Sequence, residues 1–146
     1  MENLISTLNE QYDAYVAHVK KSKKKTPIIV SGALEELQKI TDEEQIAVAV
    51  INTIDKQRLE LMADIANVIN RDAKTLRLSD LITLIQGRPE EANALESVRT
   101  KLINVGKDLK TVNERNKALL DNALEMVNFD LNLVQSMKQA LEQLNN

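Results

Sequence analysis

Apolar side chains along this chain recur every three or four residues, not every second one, which predicts helices and no sheet. From about Asn3 to Lys24, Ile5, Leu8, Tyr12, Tyr15 and Val19 form one stripe along a helix. Thr26, Pro27, Ser31 and Gly32 then interrupt the pattern. Proline lacks a backbone donor and disfavours helix at the residue before it, so a kink or break is predicted between Lys25 and Gly32. Ile28, Ile29 and Val30 are expected to be buried there against a neighbour.

A second helix is predicted from about Ala33 to Asn70. Leu37, Ile40, Glu44, Ala47, Ile51, Ile54, Arg58, Leu61, Ile65 and Val68 form its seam without a slip. Glu44 and Arg58 are the two polar residues on it. They stand four turns apart, roughly 21 Å, and cannot pair within one helix. A place at the solvated edge of the seam is the preferred reading of both; a partner contact is the other. Between Asn70 and Pro89, Leu81, Ile82, Leu84 and Ile85 predict a short helix over about 79–86. Ser79 is its expected N-cap, Gly87 its stop, and Pro89 opens the next helix. The last pattern runs from Pro89 to about Leu141, roughly 80 Å of helix. Gly106 costs it about 1 kcal/mol, too little to break it. The expected architecture is all-α, one domain over 1–146: an elongated antiparallel bundle of three long helices plus one short connecting helix.

The apolar face of the last helix changes width along its length. Leu95, Val98, Leu102, Val105, Leu109 and Val112 span an arc of about 100°, ordinary for packing on one side. After Asn116, Leu119, Ala123, Met126, Leu133 and Met137 continue that seam. Leu120, Leu124, Val127, Leu131 and Val134 add a second seam beside it, and together the two cover roughly 180°. If the second helix lies antiparallel on the last, Ala33 comes opposite about Met126, and residues beyond Val127 overhang. Deeper burial in the chain's own bundle and covering by another chain are both consistent with the width; the segment lengths favour the overhang.

Composition narrows the chemistry. Apolar residues are 43% of the chain but aromatic ones 2%, as in long helices packed through Leu, Ile, Val and Ala. A net charge of −3 sets up no field for nucleic acid. Without cysteine there is no disulfide or thiolate chemistry. Met1–Lys20 does not read as a signal peptide, and no run approaches the eighteen or so apolar residues of a membrane span. A cytoplasmic protein without membrane insertion is expected. Lys20, Lys21, Lys23, Lys24 and Lys25 form the one dense charge cluster, read as a solvated helix end complementing the macrodipole. His18 is the only histidine and lacks companions for a metal site. Glu35–Glu36 and Glu43–Glu44 point to different sides of a helix and make no catalytic dyad. Phosphate loops and nucleophile motifs are absent. No enzymatic activity, cofactor or metal is expected.

Asn113-Glu114-Arg115-Asn116-Lys117-Ala118-Leu119-Leu120, followed by Met126-Val127-Asn128-Phe129-Asp130-Leu131-Asn132-Leu133-Val134, resembles the C-terminal signature of the FlgN-type flagellar export chaperones. Leu34-Glu35-Glu36-Leu37, Glu43-Glu44-Gln45 and Arg58 are similar to the family's leucine–acidic pattern, and Leu76–Ile82 to its short connecting helix. The chain departs from the family at Thr26–Ser31, where the first helix usually continues towards a Gly-Asp turn. The resemblance implies a chaperone that binds the C-terminal amphipathic segments of the hook–filament junction proteins, prevents early assembly and delivers them to the flagellar export apparatus. By position, the client-binding residues it implies are Asn116, Leu119, Leu120, Ala123, Leu124, Val127, Phe129, Leu131 and Val134. Asn128 and Asn132, four apart on one helix edge, would either set the client's register or simply be solvated. The rival reading is a structural coiled coil that self-associates, as a homodimer for instance, through the same face. An adaptor using the lysines on nucleic acid is the third, and it predicts steep salt dependence.

Overall fold

The computed structural model describes residues 1–145, with side chains through Leu144; Asn146, the last residue of the expected domain, lies outside the described residues. The described residues form four helices: α1 (Glu2–Ser31), α2 (Leu34–Val68), α3 (Leu78–Leu84) and α4 (Pro89–Asn145). The all-α architecture of three long helices and one short connector is as the periodicity predicts.

The first helix does not break at Pro27. It continues to Ser31, seven residues past the expected end at Lys24. Proline removes one donor here, the one that would reach the Lys23 carbonyl, and it disfavours helix at Thr26. Contacts from outside the helix compensate. The Thr26 hydroxyl donates to Asn116 Oδ1 of α4 at 2.6 Å, and Ile29 is buried. Ile28 is half-buried but Val30, expected to be covered, is 71% exposed. The helix ends at Gly32, whose φ of 69° is the left-handed conformation a C-cap requires; its N–H bonds to the Ile28 and Ile29 carbonyls. Ala33 then starts α2.

At the other end of α2, Asn70 adopts φ 58° and Arg71 N donates to the Ala66 carbonyl at 2.8 Å, a Schellman closure with asparagine in place of glycine. The short helix starts earlier than expected. Arg77 is its N-cap and Asp80 Oδ2 accepts the Arg77 N–H at 3.0 Å, so Ser79 sits within the first turn. Nor is Gly87 its stop: the helix caps at Ile85, and Arg88 N closes a turn onto the Ile85 carbonyl at 2.8 Å. Pro89 opens α4 as predicted.

α1 lies between α2 and α4 and packs along both, whereas the backbones of α2 and α4 do not approach within 8 Å of each other among the described residues. The second helix therefore packs chiefly on the first and meets the fourth through side chains such as Met62, and the second and fourth run antiparallel. Cross-helix bonds set the register. Gln11 meets Asp55 and Ser22 meets Glu44, so α1 and α2 are antiparallel. Ser22 and Thr26 meet Asn116, while Leu4 and Leu8 share a core with Leu95 and Val98, so α1 and α4 run parallel. That core occupies the base of the bundle and includes Met62 of α2 with Leu81 and Ile82 of α3. Fully burying side chains of this size contributes about 1.5–3 kcal/mol each.

Candidate functional site

Going up from the base, the α1–α2 interface turns polar. Gln11 Nε2 donates to Asp55 Oδ1 at 3.2 Å, and Asp55 also accepts from Arg58 Nη2 at 2.8 Å. Arg58 thus keeps the half-exposed edge position expected of it. Glu44 does not. Its side chain is 12% exposed, and its carboxylate accepts the Ser22 hydroxyl at 2.8 Å and pairs with Lys25 Nζ at 2.9 Å. Lys25 is accordingly withdrawn from the solvated cluster, while Lys20, Lys23 and Lys24 remain exposed. The buried His18 lies 3.7 Å from Glu44. Burial pushes its pKa below the ordinary histidine range, outweighing the pull of the Glu44 carboxylate. His18 is a packed side chain in the bundle, and its burial favours the neutral form.

Asn116 completes this polar cluster from α4. It is 4% exposed. Its Nδ2 donates to the Ser22 carbonyl at 2.8 Å while its Oδ1 takes the Thr26 hydroxyl. Both ends of the amide are used, so Asn116 is a clasp within the chain, engaged with α1 at the position where the resemblance places a client contact. Three helices are joined at one level: α2 through Glu44, α1 through Ser22, Thr26 and Lys25, and α4 through Asn116.

Above the clasp the bundle ends. With α1 stopping at Ser31, α4 continues alone from about residue 123, some 22 residues or roughly 32 Å. Every side chain from Asp121 to Leu144 is exposed. Leu119 and Leu120 are half-buried at the fork, and Ala123, Leu124, Val127, Phe129, Leu131 and Val134 are free. Of the expected binding residues, those from Ala123 to Val134 therefore fall on one stretch of helix without a partner among the described residues, with two exceptions of orientation. At about 100° per residue, Asn128 and Asn132 project from the side opposite the packing seam, among Asp121, Gln135 and Gln139. Their solvated reading fits the geometry. Met126, Leu133, Met137, Leu141 and Leu144, left out of the expected set, are all more than half exposed and extend the apolar face.

The seam α1 uses runs on into this stretch without a slip. Leu95, Val98, Leu102, Val105, Leu109, Val112, Asn116, Leu119, Ala123, Met126, Asp130, Leu133, Met137, Ala140 and Leu144 alternate in threes and fours. Its covered part ends at the fork. Among the described residues, no helix is long and apolar enough to cross a membrane and no group of His, Asp or Glu is placed to hold a metal ion.

No curated protein and no solved structure matches the chain. The sequence model of the FlgN protein family matches residues 1–144, nearly its whole length. That span takes in the clasp and the free half of α4 together, and the chain belongs to the FlgN family of flagellar export chaperones.

Proposed function

We propose that the free half of α4 binds the C-terminal amphipathic helices of the hook–filament junction proteins in the cytoplasm, keeps them from assembling early and delivers them to the export apparatus. The observation that carries this reading is the fork. A helix apolar over half its circumference emerges from a finished bundle with nothing on either seam. An amphipathic helix laid in such a face recovers about 1.5–3 kcal/mol for each large apolar side chain it covers. Ten large apolar residues between Leu124 and Leu144 are more than half exposed, so covering part of them offsets the cost of association and ordering.

The test is titration calorimetry of the full chain against the C-terminal segments of the two junction proteins, with wild type and a Leu124→Asp, Leu131→Asp double variant. Binding by the wild type, lost in a variant that keeps its helicity and melting midpoint, is expected. Failure of the wild type to bind either segment, with a stable stoichiometric oligomer in its place, would give the face to self-assembly.

A further inference from the structure

Asp130 interrupts the apolar seam of the free half of α4, and its place in the register is that of Asn116. The two are separated by fourteen residues, two heptads of the same unslipped seam. At the lower position α1 answers the polar side chain with the Ser22 carbonyl and the Thr26 hydroxyl. At the upper position α1 is gone, having ended about seven residues, or roughly 10 Å, below. Asp130 is exposed. Its helical neighbours three and four residues away are Met126, Val127, Leu133 and Val134, so its own helix offers it no charge or donor.

We propose, resting on the client-binding reading above, that Asp130 is a specificity-determining residue: the client helix continues the line of α1 and carries a lysine or arginine within its apolar stripe to meet this carboxylate. An entirely apolar helix seated there would bury an unpaired carboxylate. A basic residue converts that cost into a charge-assisted bond and fixes one register out of several that the apolar residues alone would accept.

Two further observations point the same way. The stretch from Asp121 onward holds four carboxylates (Asp121, Glu125, Asp130 and Glu142) against one lysine, Lys138; its net charge of −3 is the whole net charge of the chain. The bundle below is neutral and the protruding helix acidic, so it complements a partner with basic flanks and opposes a second copy of itself. The end of the α1–α2 hairpin, where the client helix would abut, exposes Val30 and Leu34 at 71% and 76%.

The test uses the full chain, the same junction-protein segments and the variants Asp130→Leu, Asp130→Asn and Asp130→Lys. If Asp130 only interrupts an apolar face, Asp130→Leu tightens binding. If it receives a basic residue, Asp130→Leu weakens binding by about tenfold and Asp130→Lys by more, because the client's cation is buried without a partner. One Lys→Glu or Arg→Glu change in the client should then abolish binding to wild type and restore it to Asp130→Lys. Wild-type binding that Asp130→Leu leaves equal or tighter overturns the role of Asp130 and leaves the client-binding reading standing. Absence of wild-type binding overturns both. A stable homodimer broken by Lys138→Asp would put a second copy on the seam and overturn the proposal.

Discussion

Asn116 of α4 reaches across to the backbone of Ser22 in α1, donating to its carbonyl at 2.8 Å across 94 residues of sequence. The bond ties α4 to α1 just below the point where the bundle stops and the bare helix begins. Replacing Asn116 by alanine loses it together with the short Thr26 contact and leaves the Thr26 hydroxyl only its long 3.5 Å bond to the Ser22 carbonyl. A loss of about 1–3 kcal/mol in urea unfolding is expected. Client affinity measured well below the unfolding transition should stay within about twofold of wild type. A large loss of affinity at unchanged stability would return Asn116 to the binding surface.

Glu44 serves Ser22 and Lys25 from a site that is nearly closed to water. Glu44→Ala leaves the Lys25 ammonium without its anion, and destabilisation of about 1–3 kcal/mol is expected. Lys25→Ala should cost less once Glu44 is already gone. A double-mutant cycle in chemical denaturation measures that coupling, and strict additivity would mean the ion pair contributes nothing.

His18 gives the fold a pH dependence of definite sign. Its pKa is lowered by burial from the ordinary 6.5, so below that value the unfolded chain takes up a proton that the folded chain resists. Stability is therefore full above about pH 6.5 and declines as pH falls through the lowered folded value. The decline in denaturant midpoint between pH 7.5 and 5.5 should be smaller in His18→Gln than in wild type. Parallel pH profiles for the two proteins would remove His18 as the cause.

The two ends of α4 should respond oppositely to substitution. Leu95 is fully buried in the basal core, and Leu95→Ala is expected to cost about 2–5 kcal/mol. Leu131 is 56% exposed, and Leu131→Asp should change stability by less than about 0.5 kcal/mol. Thermal unfolding followed by circular dichroism compares them directly. Strong destabilisation by Leu131→Asp would show that the free half is packed in solution.

Ending the chain after Asn122 should leave the bundle intact. The melting midpoint is expected to move by less than about 3 °C, with helical signal lost in proportion to the residues removed and client binding abolished. A collapse of the midpoint would mean that the protruding helix folds back onto the rest.

Much of this arrangement is legible from apolar spacing. The narrow stripe at Leu95–Val112 and the wide face after Asn116 correspond to the covered and bare halves of α4. The α2 seam likewise buries Ile40, Ala47 and Ile51. What periodicity hides is the second face of α1. A helix between two others needs two buried lines, and one of these carries Thr7, Gln11, His18 and Ser22, all buried. Polar side chains leave no hydrophobic signal, so their partners Glu44 and Asn116 read as an edge residue and a client contact. Pro27 misleads for a related reason. Its local preference opposes helix, and tertiary bonds to Thr26 and Ser22, ninety residues away in sequence, overrule it. Asp130 passes unnoticed when a seam is read by its apolar members; as a heptad position it is plain.

The distance in sequence between Ser22 and Asn116 also orders events during synthesis. α1 and α2 can pair as a hairpin while the ribosome is still translating, but the clasp cannot close until Asn116 has emerged. The adhesive half of α4 follows it out. By the time Val127, Leu131 and Val134 reach solvent, the partner that could bury them within the same chain, α1, is already committed along its length to the residues made before them.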